Sequence, residues 1–152
     1  MAEPSVGIIT RTKNRPVALD RTLRDILGQR FTDWQLVLVC DAGDPLATEK
    51  TVEPYRQALG DRYRFLYRER SEGQAAANNF AIANSRSRYL AQHDDDDSWH
   101  PDFLARCVAY LKAAGPSIGG VASEAELLFE QFDGAKFTEA GRRPMQIGRA
   151  HV

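Results

Sequence analysis

Short apolar runs alternate with amphipathic stretches between residues 5 and 113, and this alternation constrains the fold more than any other feature. The predicted strands cover residues 6–10, 35–39, 63–67 and 89–93. The predicted helices cover residues 16–29, 48–59, 75–84 and 103–113. Such alternation requires crossover connections, which are right-handed and build a largely parallel sheet. Since the second strand is apolar at nearly every position, we expect helices on both faces of that sheet.

Two helical stretches allow predictions at the level of residues. Asn14 and Pro16 are typical of a helix start, so the first helix should begin there. In the third helix, Ala76, Phe80 and Ala83 recur at helical spacing and are predicted to form the buried stripe.

The pattern changes after residue 113. Residues 120–132 and 136–138 are predicted as strands around the turn at Asp133-Gly134, and no long helix follows. Side chains alternate along a strand, so most of the acidic residues in this stretch share one face, which favours a structural role. We assign no catalytic role to the four glutamates Glu124, Glu126, Glu130 and Glu139.

Composition limits the class of protein. The chain has 152 residues, 43% hydrophobic and 27% charged, which suits one packed domain or part of one. A net charge of −1 argues against a nucleic-acid-binding surface. Cys40 and Cys107 lie in apolar runs, so we expect no disulfide scaffold and a reducing compartment. No apolar stretch approaches the roughly 20 residues that span a bilayer. The predicted location is cytoplasmic, with membrane association only through chain beyond Val152.

Four consecutive carboxylates, Asp94 to Asp97, follow the fourth predicted strand. Two unit charges about 4 Å apart repel by roughly 4 kcal/mol at an effective dielectric constant near 20. A cation would offset this repulsion, and Mg²⁺ or Mn²⁺ prefers carboxylate oxygens and substrate phosphates. The position also suits a ligand site, because open α/β sheets bind ligands beyond the carboxyl ends of their strands. The alternative is a solvated acidic loop before a helix N-terminus.

Four motifs in register carry a resemblance to a known family. They are the first-strand loop 10–16, the turn at Asp41, the helix start 73–79, and the acidic run followed by Trp99 and Pro101. In this order the chain resembles the family 2 inverting glycosyltransferases of the GT-A fold. The resemblance covers about residues 4–140. It implies a Rossmann-like α/β fold, a mostly parallel sheet flanked by helices, incomplete at the C-terminus.

The resemblance also implies a site. Residues 94–96 are similar to the family's DxD motif, in which Asp96 would bind the metal directly, with Asp94 as a second metal residue. Asp94 and Asp95 would lie near the ribose and diphosphate, and Asp97 would support them. The implied nucleotide-sugar-binding residues are Thr10, Arg11, Asn14, Arg15, Asp41, Asn78, Asp94 and Asp95. Among these, Asp41 would accept a hydrogen bond from the base edge.

Several of these residues have simpler interpretations. Asp41 could cap the turn that follows it, and Asn78 could cap a helix start. Arg11 and Arg15 could be ordinary surface charges. His93 is expected to be packed or hydrogen-bonded rather than a ligand.

The implied function is metal-dependent transfer of a sugar to an acceptor hydroxyl, with inversion. The donor would be a UDP-, dTDP- or GDP-linked sugar, and the cofactor Mg²⁺ or Mn²⁺. The alternative is a non-catalytic Rossmann-like module that binds Mg²⁺. An inverting transfer needs a general base, which the resemblance implies beyond Val152, so the chain as given is expected to bind donor without turnover.

The last six residues, 147–152, resemble a translated sequencing adaptor. We therefore expect a partial glycosyltransferase domain over residues 4–146 and a non-native tail after it.

Overall fold

The computed structural model describes residues 3–145, so the prediction about the tail at 147–152 falls outside the described residues. The strands are β1 (Val6–Thr12), β2 (Trp34–Asp41), β3 (Tyr63–Arg68), β4 (Tyr89–Gln92), β5 (Glu126–Phe132) and β6 (Phe137–Pro144). The α-helices are α1 (Pro16–Leu27), α2 (Pro45–Val52), α3 (Arg56–Leu59), α4 (Gln74–Ala83) and α5 (Phe103–Ala114). Short 3₁₀ turns at Glu53–Tyr55 and Gly60–Arg62 flank α3. The chain divides into two compact units, one up to Ala105 and one from Arg106.

The first unit contains a four-stranded sheet in the order β3-β2-β1-β4, and all three neighbouring pairs are parallel. The chain moves outward from β1 to β3 and then returns to the other side of β1. Because crossovers are right-handed, this reversal puts α4 on the opposite face from α1 and α2. The predicted parallel α/β sheet is confirmed.

The core of the first unit lies on both faces of β1 and β2. On the α4 face, Ile9, Val37 and Val39 pack with Ala77 and Ala81. On the other face Ile8, Leu36 and Leu38 are fully buried. Strands that are apolar on both faces belong in a covered sheet, as the sequence of β2 predicts.

The predicted buried stripe of α4 is wrong. Ala77 and Ala81 are fully buried, whereas Phe80 is 37% exposed and Ala83 is exposed. Small residues face β1 and β2 because the helix lies close to the strands. Phe80 is too large for that contact, and helical spacing alone could not distinguish the two stripes.

The start of α1 also differs from the prediction. Arg15 is at the N-cap without a side-chain cap bond, and Pro16 occupies the first turn. Asn14 instead adopts a positive φ of 53°, and its side-chain oxygen accepts a hydrogen bond from the Asp44 amide at 2.8 Å. Asn14 therefore fixes the β2–α2 turn rather than the helix start.

The second unit contains the antiparallel hairpin β5–β6. Its first strand begins at Glu126, later than the predicted residue 120, and the second extends to Pro144. The register has an irregularity at Phe129/Glu130, where the pairing skips Ala140. Arg142 forms ion pairs with Glu126 at 3.3 Å and Glu139 at 2.7 Å, which supports a structural role for these glutamates.

Within residues 3–145, no helix combines the length and the apolar character that crossing a membrane would need.

Candidate functional site

The carboxyl ends of β1 and β4 meet at the point where the strand order reverses. β1 lies between β2 and β4 in the sheet. The loops after β1 and β4 therefore begin side by side at this edge of the sheet, at the kind of position where open α/β sheets bind ligands. Asp94 follows β4 by two residues, and Lys13 follows β1 directly.

A cleft of about 410 Å³ occupies this position. Its lining contains equal numbers of acidic and basic side chains and one amide, namely Arg11, Lys13, Arg15, Gln74, Asp94, Asp95 and Asp96. The lining is polar, and it brings together three stretches that are far apart in sequence. Such a lining is suited to a charged ligand that also brings a cation.

Asp95 is the most firmly held carboxylate of the cleft. Its side chain is 8% exposed. Thr12 donates a hydrogen bond to Asp95 Oδ2 at 2.8 Å, and Arg15 Nη1 donates to Oδ1 at 3.0 Å. A buried charge needs such partners to offset its desolvation. β1 and α1 therefore fix Asp95 from the other side of the cleft.

Asp94 and Asp96 are more accessible. Asp94 accepts hydrogen bonds from Gln74 and Gln92, both at 3.0 Å. Asp96 accepts from Arg15 Nη1 at 3.1 Å, with its side chain 60% exposed. These partners have long side chains that a ligand can displace at modest cost.

The same nitrogen of Arg15 bonds both Asp95 and Asp96. Hydrogen bonding and charge attraction from Asp95, followed by the hydrogen bond from Asp96, raise the pKa of Arg15. Arg21 donates to the main-chain oxygen of Asp96 at 3.0 Å. Much of the repulsion within the acidic run is thus offset by α1 and the residue before it.

Asp41 does not line the cleft and does not cap the following turn. It is fully buried at the end of β2. Arg68 and Ser71 donate to its two oxygens at 3.1 and 2.7 Å, and Arg11 Nε lies 3.4 Å from Oδ2. Because Arg11 also lines the cleft, Asp41 contacts the site indirectly.

Three further predicted residues lie away from the lining. Asn14 borders a smaller neighbouring pocket with Asp44. Thr10 is fully buried, and Asn78 is partly buried within α4. Within residues 3–145, Thr10 Oγ1 and Asn78 Oδ1 are buried atoms without a hydrogen-bond partner. The structure therefore brings Arg11, Arg15 and residues 94–96 together at the cleft. Thr10, Asn14 and Asn78 lie outside its lining.

His93 is a packed residue, as predicted. It is fully buried, its ring centroid lies 4.3 Å from that of Trp99, and Nδ1 lies 2.8 Å from the main-chain oxygen of Asp94. Burial lowers the pKa of His93. Partial desolvation, together with the charges of Asp94 and Asp96, raises the pKa of Asp97.

The sequence did not single out Lys13, Gln74 or Thr12 as site residues. Lys13 belongs to the basic loop after β1, so the loop's charge was a usable signal. Gln74 opens α4 after Gly73, which has a positive φ of 93°. Thr12 is the last residue of β1. Nothing in the local sequence distinguishes Gln74 and Thr12 from ordinary polar residues.

The side chains of the cleft fit a divalent cation shared with a ligand. Among residues 3–145, no group of three or more His, Cys, Asp or Glu side chains is arranged to hold a metal by itself. Mg²⁺, however, is usually held by one or two carboxylates together with substrate phosphates. The exposed Asp96 and the half-buried Asp94, which both line the cleft, can supply those carboxylates.

A covered parallel sheet with a charged cleft at its switch point defines a Rossmann-like α/β protein with its candidate ligand site at the carboxyl ends of the strands. Residues 7–134 match the profile described as Glycosyl transferase family 2, and the chain belongs to that family.

Known proteins agree with this assignment. TuaG of Bacillus subtilis (strain 168), a glycosyltransferase with a proposed role in teichuronic acid biosynthesis, is 28% identical over 109 residues. That match covers 72% of this chain and 42% of TuaG. The chain thus spans less than half the length of this relative.

Solved structures share the fold. A mannosyltransferase from Pyrobaculum calidifontis, in complex with GDP-Man and Mn²⁺, matches with a TM-score of 0.67 at 24% identity. The match covers 78% of this chain and 34% of the other. S. aureus TarS 1-349 in complex with UDP-GlcNAc matches with a TM-score of 0.63 at 21% identity, over 72% and 31% of the two chains. These matches confirm the predicted GT-A fold.

Proposed function

We propose that this chain is the donor-binding part of a glycosyltransferase that moves a sugar from a nucleoside diphosphate to an acceptor hydroxyl with inversion. The observation that carries the proposal is the cleft at the switch point, where Asp94, Asp95 and Asp96 face Arg11, Lys13 and Arg15. Family membership supports the transferase over a non-catalytic module that binds Mg²⁺.

The charges of the cleft suit a diphosphate bound together with Mg²⁺ or Mn²⁺. Arg11, Lys13 and Arg15 can donate hydrogen bonds to phosphate oxygens. The N-terminus of α4, at Gln74, also lies at the cleft, and helix N-termini favour anions. The cation would supply Lewis-acid stabilisation of the charge that develops on the departing nucleoside diphosphate.

Within this proposal the carboxylates have different roles. Asp96 and Asp94 would hold the cation because their side chains are accessible. Asp95 would tie the loop after β4 to β1, since it is buried and its Oδ2 accepts a hydrogen bond from Thr12. Asp41 would orient Arg11 rather than contact the base itself, which revises the role that the resemblance implied.

The donor is a nucleoside-diphosphate sugar in this proposal. The mannosyltransferase and TarS structures described above contain GDP-Man and UDP-GlcNAc, so both bases are candidates. UDP and GDP are therefore both needed as probes.

Isothermal titration of the 152-residue chain with UDP or GDP, in saturating Mn²⁺, tests the proposal. We expect binding to at least one of them, and we expect Asp96→Ala to weaken it at least about tenfold, since a lost metal contact costs more than about 1.4 kcal/mol. Asp61→Ala is the matched control, because Asp61 lies before β3, at the opposite edge of the sheet. No heat with either nucleotide, or equal losses in both variants, would defeat the proposal.

A further inference from the structure

The guanidinium of Arg15 lies between Asp95 and Asp96, where its positive charge offsets their repulsion. A single nitrogen, Nη1, lies 3.0 Å from Asp95 Oδ1 and 3.1 Å from Asp96 Oδ2. The guanidinium therefore bridges two adjacent residues of the acidic run and neutralises part of their charge. It does so across about 80 positions of sequence, so the contact depends on the tertiary fold.

Arg15 and Asp95, the two partners in this contact, differ in burial. Asp95 is buried and is also held by Thr12 Oγ1. The side chain of Arg15 is 54% exposed, although its main chain immediately precedes Pro16 at the start of α1. Arg15 can therefore change rotamer into the cleft without disturbing the core, whereas Asp95 has to stay in place.

A divalent cation held by Asp94 and Asp96 would stand close to the guanidinium, because Arg15 Nη1 lies 3.1 Å from Asp96 Oδ2. Two positive charges that near repel strongly in a partly desolvated site. The same guanidinium is well suited to phosphate oxygens, which it can bind through two N–H groups. Phosphates arriving with the cation would give Arg15 a new partner at the moment it loses the old one.

We propose that Arg15 is an internal counter-cation that competes with the divalent cation for Asp96, next to Asp95, and moves its hydrogen bonds to the donor's phosphates when cation and donor bind together. This inference rests on the proposed function and adds to it. Arg15 makes the cleft a poor site for a metal alone and a good site for a metal with a nucleoside diphosphate. Binding of the cation and of the nucleotide is therefore positively coupled through Arg15.

Lys13 provides a matched control for Arg15. It lines the same cleft and carries the same charge. Within the part of the chain that the structure describes, Lys13 makes no ion pair with Asp95 or Asp96. Lys13→Gln therefore removes one positive charge from the cleft without removing the bridge, whereas Arg15→Gln removes both.

The first measurement is binding of Mn²⁺ alone, followed by the loss of the free-ion electron paramagnetic resonance signal. We expect Arg15→Gln to tighten Mn²⁺ binding about fivefold or more, and Lys13→Gln to change it less than about twofold, because an unbonded charge is screened. With Mn²⁺ saturating, we expect Arg15→Gln to weaken UDP or GDP binding. Tighter Mn²⁺ binding together with weaker nucleotide binding is what we expect if Arg15 exchanges its carboxylate partners for phosphates.

Thermal unfolding distinguishes the proposed effect from a general loss of stability in the Arg15→Gln variant. Arg15→Gln should lower the melting temperature because it leaves Asp95 with one partner fewer, and Mn²⁺ should restore it more than it stabilises the wild type. A melting temperature that Mn²⁺ does not restore would contradict the proposal.

Two results with Mn²⁺ alone would overturn the role of Arg15. One is an equal change in the Arg15→Gln and Lys13→Gln variants, and the other is weaker or undetectable Mn²⁺ binding after Arg15→Gln. A different result would contradict the proposed function, namely no UDP or GDP binding by the wild type in saturating Mn²⁺. The comparison with Mn²⁺ alone still decides the role of Arg15 in that case.

Discussion

Asp41 and Asp95 are buried carboxylates at the carboxyl edge of the sheet, and each is held by groups from other elements. Asp41 joins β2 to β3 through Arg68, and to β1 through Arg11. Asp95 joins the loop after β4 to β1 through Thr12. Both contacts tie neighbouring strand ends together at the cleft. Their main effect is to set the positions of Arg11 and Arg15, which line it.

Asp41→Asn should destabilise the chain by about 3 kcal/mol, because it leaves the largely buried guanidinium of Arg68 without its buried charge partner. Urea unfolding measures the change. Glu72→Gln is the matched control, because Glu72 pairs with the same arginine but is 74% exposed. An exposed pair contributes less than about 1 kcal/mol. Equal losses in the two variants would show that burial of Asp41 does not determine the cost.

At the level of elements, side chains from outside the helix fix the beginnings of α2 and α5. Asp44 caps α2 by accepting hydrogen bonds from the amides of Leu46 and Ala47, and Asn14 holds the amide of Asp44 in turn. Gln29, after α1, bonds the main chain of His100 at 3.0 Å and of Leu104 at 3.1 Å. The loop that carries the acidic run is therefore anchored at its far end by Gln29, just after α1.

Asp44→Ala should cost about 1 kcal/mol, since it removes the side-chain cap of α2. Asp44→Asn should cost only a few tenths of that, because asparagine is an equally good N-cap. Chemical denaturation of the two variants gives the comparison. A loss in Asp44→Asn as large as in Asp44→Ala would assign the effect to the charge rather than to the cap.

At the level of the whole molecule, the strand residues that are buried lie in β1 and β2, the two central strands of the parallel sheet. Nearly every residue of β1 and β2 is buried, whereas every residue of β5 is exposed. The exposed apolar residues of the hairpin include Leu127, Leu128 and Phe129. A two-stranded hairpin is at most marginally stable without a covered face.

Amide hydrogen exchange should reflect this distribution. We expect the amides of β1 and β2 to open only with global unfolding, and those of β5 and β6 to exchange by local opening, at rates higher by orders of magnitude. Mass spectrometry of peptic fragments after timed exchange measures the difference. Comparable protection in β2 and β5 would contradict it.

Much of the fold follows from the sequence because the relevant signals are local. The apolar strands and amphipathic helices appear at their predicted places to within a few residues up to α5, except that a 3₁₀ turn divides the helix predicted over residues 48–59 into α2 and α3. Apolar character on both sides of β2 predicted the covered sheet. The hairpin was predicted less well, because exposed strands such as β5 and β6 have a weak hydrophobic pattern to locate their ends.

The candidate site was predictable only in part. Residue type and motif were sufficient to predict Arg11, Arg15 and residues 94–96 as site residues. The structure brings them to one cleft. Gln74 and Thr12 could not be found, since their roles arise from contacts with residues 20 and 83 positions away. Thr10, Asn14 and Asn78 matched the motif, but the strands and turns direct them elsewhere.

The sequence by itself determined the order of strands and helices, the sheet buried on both faces and the acidic run at a strand end, because hydrophobic period and residue type act over short distances. Only the tertiary structure decided that Asp41 is enclosed by Arg11 and Arg68, and that Arg15 bridges Asp95 and Asp96. Ion pairs of this kind depend on distances of a few ångströms between separate elements. Those distances are set by strand register and by the packing of α1 and α4, which no local pattern specifies.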